Sequence, residues 1–174
     1  MSIFNNTIHV GGENLSNNNS DIINNSWWYK SKNNKTRIML CGTYPIGTSN
    51  GYSKVVYYIC KYLQHYDDIE LTVYGFQNVN NTSGSNIRND LDNVILHDVL
   101  ANENPKRNGF GEKEIGNYLK KNPQDIVIIF NDSIITTALV STLVKECWGE
   151  KKNFKLISYM DQVYKYQKKE YIKI

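Results

Sequence analysis

The chain has 174 residues, of which 40% are hydrophobic and 21% are charged. This length fits one domain around a single core, and this composition excludes a chain that is disordered throughout. The formal net charge of +3 comes from 20 basic and 17 acidic residues spread along the sequence, which argues against the concentrated basic face of a nucleic-acid-binding protein. The sequence shows neither an apolar run of the roughly 18 residues that span a bilayer nor a signal-peptide pattern, so we expect a cytoplasmic protein.

Residues 1–35 are rich in asparagine and serine and show no sustained strand or helix period. The exceptions are the short stretch Thr7–Val10 and an aromatic cluster, Trp27, Trp28 and Tyr29. These side chains either pack on the folded domain or stack on a ligand, and packing is the commoner use of such residues. We expect an irregular arm at 1–35 that precedes a folded domain at 36–174.

From Arg37 onward, short apolar runs alternate with amphipathic segments, which is typical of βα units around a parallel sheet. Apolar residues between Tyr52 and Leu63 recur at the spacing of one helical face, and shorter stripes predict helices around Ile115–Leu119 and Ile135–Leu143. The candidate strands are Arg37–Cys41, Leu71–Tyr74, Val94–Leu96, Asp125–Phe130 and Phe154–Tyr159. The sequence therefore predicts an α/β fold with an open parallel sheet of about five or more strands and helices on both faces.

Polar stretches separate these elements. Gln77–Asn93 is rich in glycine and asparagine, and Ala101–Gly111 contains a proline and two glycines, so we expect both to be surface loops. Asp132 or Ser133 is placed to cap the first turn of the helix after the fourth strand. We expect the final segment, from Asp161 to Ile174, to be a helix.

The three cysteines, Cys41, Cys60 and Cys147, lie far apart, each within an apolar run. Their odd number and wide spacing match neither a disulfide framework nor the paired cysteines of a zinc site. Histidine, cysteine and carboxylate residues do not cluster at the spacing of metal ligands. We therefore expect buried free thiols and no bound metal.

The segment between the first strand and the first helix is the most informative part of the sequence. In an open α/β sheet, this position faces the crevice at the carboxyl ends of the strands, where ligands bind. Gly42 and Gly47 have the spacing of a phosphate-binding loop, but Thr48 stands where that loop requires lysine. The three-glycine fingerprint of dinucleotide-binding proteins is absent as well. Neither an ATPase nor a dinucleotide-dependent enzyme is indicated.

Glycines in such a segment serve one of two purposes. They permit a tight turn between strand and helix, or they let an anionic group approach the backbone. For Gly42 the two readings are equally balanced. For Gly51 the second is favoured, because the N–H groups at the start of a helix lie at the positive end of its dipole.

The opening of the folded part resembles a known family of enzymes. The strand Arg37–Cys41, the Tyr44-Pro45 turn and the run from Ser49 to Val56 are similar to the opening of retaining GT-B glycosyltransferases of the glycogen-synthase-like and mannosyltransferase-like group. That opening shows a proline, a Gly-Gly pair, a small residue and an amphipathic helix, and here Asn50 replaces the first glycine. The later strands agree in order and spacing, so the resemblance covers residues 37–174.

The resemblance implies a Rossmann-like N-terminal domain on the acceptor side of a two-domain enzyme. The donor-binding domain of that family, with its paired glutamates, has no counterpart in this sequence, which would then be a fragment. The loop before the first helix faces the donor diphosphate in that family, which implies this contact for Ser49, Asn50 and Gly51.

The resemblance also implies which residues line the acceptor side of the cleft. In that family, polar residues at the ends of the fourth and fifth strands line it, and here those residues are Asn131, Asp132 and Asp161. The two aspartates are the candidate catalytic residues, although each is also placed to cap a helix. Tyr52 and His97 complete the acceptor-binding set, and a surface or satisfied histidine is the plainer interpretation of His97.

Two functions of different classes follow for the chain. The resemblance implies transfer of a sugar from a nucleotide-sugar donor to a hydroxyl acceptor, with the nucleotide sugar as substrate and no cofactor. The fragment alone would be inactive, because half of a two-domain cleft cannot hold both reactants in attack geometry. The alternative is a non-catalytic Rossmann-like or flavodoxin-like module that binds a protein or a small anion.

Overall fold

The architecture is a five-stranded, all-parallel sheet in the order β3-β2-β1-β4-β5. The structure is a computed structural model that describes residues 34–46, 50–79, 88, 90–147 and 154–161. The elements are β1 (Thr36–Thr43), α1 (Gly51–Leu63), β2 (Ile69–Phe76), β3 (Val94–Asp98), α2 (Val99–Asn102), α3 (Ile115–Lys121), β4 (Ile126–Asp132), α4 (Ser133–Cys147) and β5 (Lys155–Asp161).

Helices cover both faces of the sheet. Alternate residues of a strand point to opposite sides, so one strand can pack against helices on both faces. Ile38 and Leu40 of β1 belong to a buried cluster with α1. Met39 and Cys41 belong to a second cluster with α3 and α4. The predicted Rossmann-like α/β sheet with helices on both faces is confirmed.

The strands and three of the helices lie where the apolar patterns predict them, with ends displaced by a few residues. The short helix α2 carries too few residues to show a period and was not predicted. The prediction that Asp161 opens a helix is wrong, because Asp161 is the last residue of β5 and pairs with Asp132 of β4. Residues 162–174 and the arm up to residue 33, with Trp27 and Trp28, lie outside the described residues.

A close approach of α1 to the sheet gives Gly42 a packing role. A Cβ at Gly42 would lie 2.6 Å from Cγ2 of Val56 in α1 and 3.4 Å from the carbonyl oxygen of Phe130 in β4. Any larger residue would therefore push α1 away from β1. Of the two readings of Gly42, the structure supports the structural one.

An ion pair joins the starts of β1 and β4. The guanidinium of Arg37 donates to both carboxylate oxygens of Asp125, at 2.9 Å and 3.2 Å, and the backbone N–H of Arg37 donates to the same carboxylate at 2.8 Å. Burial raises the pKa of Asp125, but the hydrogen bonds from Arg37 outweigh it and the pKa lies below its ordinary value.

The stretch before α3 is held by a buried carboxylate, so the prediction of a plain surface loop at Ala101–Gly111 is wrong in part. Glu103 is only 3% exposed, and its carboxylate accepts hydrogen bonds from the N–H groups of Arg107, Gly109 and Gly111 at 3.0–3.1 Å. Gly109 and Gly111 have φ angles of 79° and 61°, which glycine adopts at little cost. The segment turns around one charged side chain.

Candidate functional site at the carboxyl edge of the sheet

The strand order creates a crevice between the ends of β1 and β4. The chain leaves β1 for α1 on one face and leaves β4 for α4 on the other face, while β1 and β4 are neighbours in the sheet. Two adjacent connections that diverge in this way leave a gap at the carboxyl ends of the strands, and this gap is the usual ligand site of open α/β sheets. The predicted position of the candidate site is thus the topological switch point of this sheet.

One wall of the crevice is the N-terminus of α1. Asn50 caps this helix: its Oδ1 accepts a hydrogen bond from the N–H of Ser53 at 2.8 Å, and the N–H of Asn50 donates to the hydroxyl of Ser53 at 3.2 Å. This reciprocal pair is a capping box. It explains why asparagine stands at this position, because asparagine is among the best N-cap residues.

Gly51, the first residue of α1, is exposed and unobstructed. A Cβ built there would meet no atom of the described residues within 4 Å, so their packing does not require glycine at this position. None of the described residues obstructs a group that approaches the backbone of Gly51 from solvent. Ser49, predicted beside it on the donor side, lies outside the described residues.

Arg88 adds a positive charge to this wall. Its Nη1 lies 3.2 Å from the carbonyl oxygen of Pro45 and 3.2 Å from the hydroxyl of Ser53, and its guanidinium carbon lies 5.3 Å from the ring centre of Tyr57. Sequence reasoning missed Arg88 because it belongs to the polar stretch Gln77–Asn93, and no local pattern links it to α1.

The opposite wall contains the two candidate catalytic carboxylates. Asp132 and Asp161 are register partners at the ends of β4 and β5, so the structure brings them side by side. Oδ1 of Asp132 accepts a hydrogen bond from the N–H of Ile135 at 3.0 Å, which is the predicted capping contact. Asp161 is exposed, and its described environment includes no helix to cap.

An aromatic row joins the two walls. The ring of Tyr52 in α1 lies 5.5 Å from that of Phe130 in β4, and Phe130 lies 4.8 Å from Tyr159 in β5. Phe130 and Tyr159 are register partners two residues before the two aspartates. Tyr52 thus lies between the start of α1 and the end of β4.

Asn131 has a structural task in the turn from β4 to α4. The residue is buried, its Oδ1 accepts a hydrogen bond from the N–H of Asp132 at 2.9 Å, and its carbonyl oxygen lies 3.4 Å from the hydroxyl of Thr136. Its side chain is therefore engaged in shaping the turn, and little of it is left to contact an acceptor.

His97 lies apart from the other candidates. It belongs to the edge strand β3, and β2 and β1 separate it from β4. Its ring stacks on Tyr74 at 5.3 Å and contacts Tyr118 at 4.3 Å between ring centres. Burial lowers the pKa of His97, and the nearby carboxylate of Asp98 opposes that effect in part. The plainer interpretation, a packed histidine, agrees with these contacts.

An open groove of about 550 Å³ runs along the outer side of α1 towards β5. Tyr58 and Tyr62 of α1 line it and are each 65% exposed, whereas Tyr57 is buried. Tyr159 closes its far side. The tyrosines of this helix thus divide between core and surface.

The cysteines, by contrast, are not accessible for reaction. Cys41, Cys60 and Cys147 are buried free thiols, as expected. Burial raises the pKa of Cys41 above its ordinary range and that of Cys60 to about 12. Among the described residues, no group of three or more histidine, cysteine, aspartate and glutamate side chains is arranged to hold a metal ion.

Comparison with known proteins assigns the chain to no family. No protein-family model matches it, and no curated protein matches it as a significant relative. In the described part of the chain, every helix is too short or too polar to cross a membrane.

Proposed function

We propose that this chain forms the acceptor-side half of the cleft of a retaining GT-B glycosyltransferase, which transfers a sugar from a nucleotide-sugar donor to a hydroxyl acceptor in the cytoplasm. The observation that supports the proposal best is the position of Gly51. It lies at the unobstructed start of a helix, at the switch point of the sheet, where such sheets bind ligands.

The electrostatics of this wall suit a diphosphate. The exposed N-terminus of α1 carries a partial positive charge, and the first turn contains no acidic residue that would oppose an anion. Arg88 places a guanidinium at the hydroxyl of Ser53 in the same turn. As the bond to the sugar breaks, negative charge grows on the leaving diphosphate, and prearranged donors and cations lower the energy of that state.

The aspartates have the position of acceptor-side groups. Asp161 is exposed at the end of β5, so its carboxylate is free to accept a hydrogen bond from an acceptor hydroxyl and to assist removal of its proton. One oxygen of Asp132 is used by the N–H of Ile135, which fixes the orientation of that carboxylate. In this proposal Asp161 acts on the acceptor, and Asp132 contributes a fixed negative charge beside it.

The complete activity requires a second domain to bind the nucleotide and close the cleft. Much of the rate of an enzymatic transfer comes from holding the two reactants in the geometry for attack. A nucleotide sugar that is held by one wall of the cleft only would not be held in that geometry. The proposal therefore assigns catalysis to the whole protein and assigns to residues 36–174 the orientation of the acceptor and part of the diphosphate contact.

The test is turnover by the product of the complete gene. It would be assayed with a panel of nucleotide sugars by measuring release of nucleoside diphosphate and transfer to simple alcohol and glycan acceptors. We expect turnover with at least one donor and a large loss in Gly51→Leu, because the new side chain would fill the space through which the diphosphate approaches.

Tyr58→Leu is the matched control, since it also changes an exposed position of α1, two turns further along. We expect it to leave turnover unchanged. Absence of turnover with every donor would favour the non-catalytic binding module instead. Turnover that is equally retained by both variants would show that the diphosphate does not approach at Gly51.

A further inference from the structure

The outer edge of β5 is a regular, exposed strand edge. β5 is last in the strand order and pairs with β4 through seven successive residue pairs, from Ile126–Lys155 to Asp132–Asp161. Six of its seven residues are exposed, among them Ile157 at 48% and Tyr159 at 53%. A long edge without proline or bulge presents a row of backbone groups to another strand. Within the described ranges, no strand occupies that side.

The hydrogen bonds to β4 determine which residues of β5 face outward. The N–H of Lys155 donates to the carbonyl oxygen of Asp125 at 2.9 Å. Because the N–H groups of a strand alternate in direction, those of Ile157, Tyr159 and Asp161 also point towards β4. Leu156, Ser158 and Met160 therefore direct their N–H and C=O groups away from the sheet.

A second copy of β5 can use these groups in an antiparallel ladder. Outward-facing residues must then oppose outward-facing residues, because only these have free backbone groups to exchange. If Ser158 opposes Ser158 of the second copy, Leu156 opposes Met160 of that copy, and all outward groups of both strands are paired. A shift of one residue would place outward groups against inward ones and leave none of them bonded.

The side chains match in the same register. Lys155 of one copy then opposes Asp161 of the other at both ends of the ladder, and Ile157 opposes Tyr159 on the face that carries α1. Opposite charges and aromatic–aliphatic pairs are both favourable as direct cross-strand neighbours. A shift of two residues would keep the direction of the backbone groups but would lose both charge pairs.

We propose that β5 pairs antiparallel with β5 of a second copy of this chain, about a two-fold axis at Ser158, so that two five-stranded sheets become one continuous sheet. The interface is isologous, since each copy contributes the same residues. The pairing also covers the exposed apolar surfaces of Ile157 and Tyr159. The inference does not rest on the proposed sugar transfer, and it competes with that proposal at Asp161, whose carboxylate would pair with Lys155 of the second copy instead of contacting an acceptor.

The proposed pairing is tested by measuring the oligomeric state as a function of protein concentration. An edge of this length with its flanking side chains falls in the class of small interfaces, so we expect a reversible dimer with a dissociation constant in the micromolar range. Sedimentation velocity on the 174-residue chain across that range would measure it.

Ser158→Pro tests the backbone ladder. Proline removes the outward N–H at the centre of the edge without removing a hydrogen bond to β4, and edge strands tolerate proline at such positions. We expect this variant to be monomeric with an unchanged circular dichroism spectrum. Ser158→Ala, which retains the N–H, should dimerise like the wild-type chain.

Charge exchange tests the register and serves as the second probe should Ser158→Pro fail to fold. Lys155→Asp and Asp161→Lys each place like charges opposite one another, and we expect each to weaken the dimer on the order of tenfold. The variant with both substitutions restores opposite charges and should regain the wild-type dissociation constant. Failure of the double variant to recover would overturn this register.

Two further outcomes would overturn the pairing itself. The first is a wild-type chain that stays monomeric throughout the concentration range. The second is slow hydrogen exchange at the Ser158 amide in that monomer, which would show that another segment of this chain occupies the edge of β5.

Discussion

The Cα of Gly42 in β1 faces Val56 in α1 so closely that a Cβ on Gly42 would lie 2.6 Å from Cγ2 of Val56. Valine has little freedom at χ1 within a helix, so the added methyl group would be accommodated only by moving the helix. We expect Gly42→Ala to lower the free energy of unfolding by about 1–3 kcal/mol, the range for overpacked cores. Urea denaturation would measure it.

Gly51→Ala is the matched substitution in open space, and it should act in the opposite direction. Its Cβ would meet no atom of the described residues within 4 Å, and alanine restricts the unfolded chain more than glycine does. We expect a gain of about 0.4–1 kcal/mol. Equal losses in Gly42→Ala and Gly51→Ala would contradict the packing described for α1.

The capping box at the start of α1 predicts a measurable cost for losing Asn50. Replacing it by alanine leaves the N–H of Ser53 without the acceptor it has at 2.8 Å. We expect Asn50→Ala to destabilise the fold by about 1 kcal/mol, whereas Asn50→Asp should retain most of the stability because aspartate caps equally well. Thermal unfolding of the two variants side by side would separate loss of the cap from loss of the amide.

The buried carboxylate of Glu103 predicts a dependence of stability on pH. Burial raises the pKa of Glu103, but hydrogen bonds from the N–H groups of Gly111, Gly109 and Arg107 outweigh it, so the folded-state pKa lies below the ordinary value of 4.5. The unfolded state therefore takes up the proton first. The stabilisation is present above about pH 4.5 and is lost as the pH falls through the folded-state pKa.

Glu103→Gln isolates this contribution, because it removes the charge but keeps the shape. At neutral pH we expect a loss of about 1–3 kcal/mol, since an amide cannot accept all of these hydrogen bonds. Below the folded-state pKa the two proteins should converge in stability. Unfolding curves that stay parallel at every acidic pH would rule out a role for the charge.

The cysteines should be unreactive in the folded protein. Only the thiolate reacts readily with a disulfide reagent, and burial raises the pKa of Cys60 to about 12. We expect no thiol titration by such a reagent under native conditions and reaction of all 3 cysteines in denaturant. Rapid reaction of a native thiol would show that the packing around that cysteine opens readily.

Much of the fold could be predicted from the sequence because strands and helices leave periods in the apolar residues. The run before Gly42 is continuously apolar, as in a strand that is buried on both faces, and the stripe from Tyr52 to Leu63 has the helical period; β1 and α1 lie there. The turns around Glu103 leave none, because their shape depends on one carboxylate and the backbone rather than on a repeated pattern. Helix α2 has only four residues, which is too short to show a helical period in the sequence.

The candidate site could be predicted only as far as the carboxyl-edge rule reaches. The apolar runs and the family resemblance placed Asp132 and Asp161 at the ends of the fourth and fifth strands, but their adjacency follows from the pairing of β4 with β5, which no local pattern encodes. His97 entered the set by its position at the end of the third strand, and the strand order separates it from Asp132 by two strands and from Asp161 by three. Arg88 reaches Ser53 across 35 residues, a contact that only the tertiary structure reveals.

Arg88 also links three segments of the chain. Its guanidinium contacts Pro45 on the connection after β1 and Ser53 in the first turn of α1, while its own backbone belongs to the chain leading into β3. A displacement of any one of these segments strains the contacts to the other two. Arg88 therefore ties the connection after β1 to the first turn of α1 at the mouth of the candidate site.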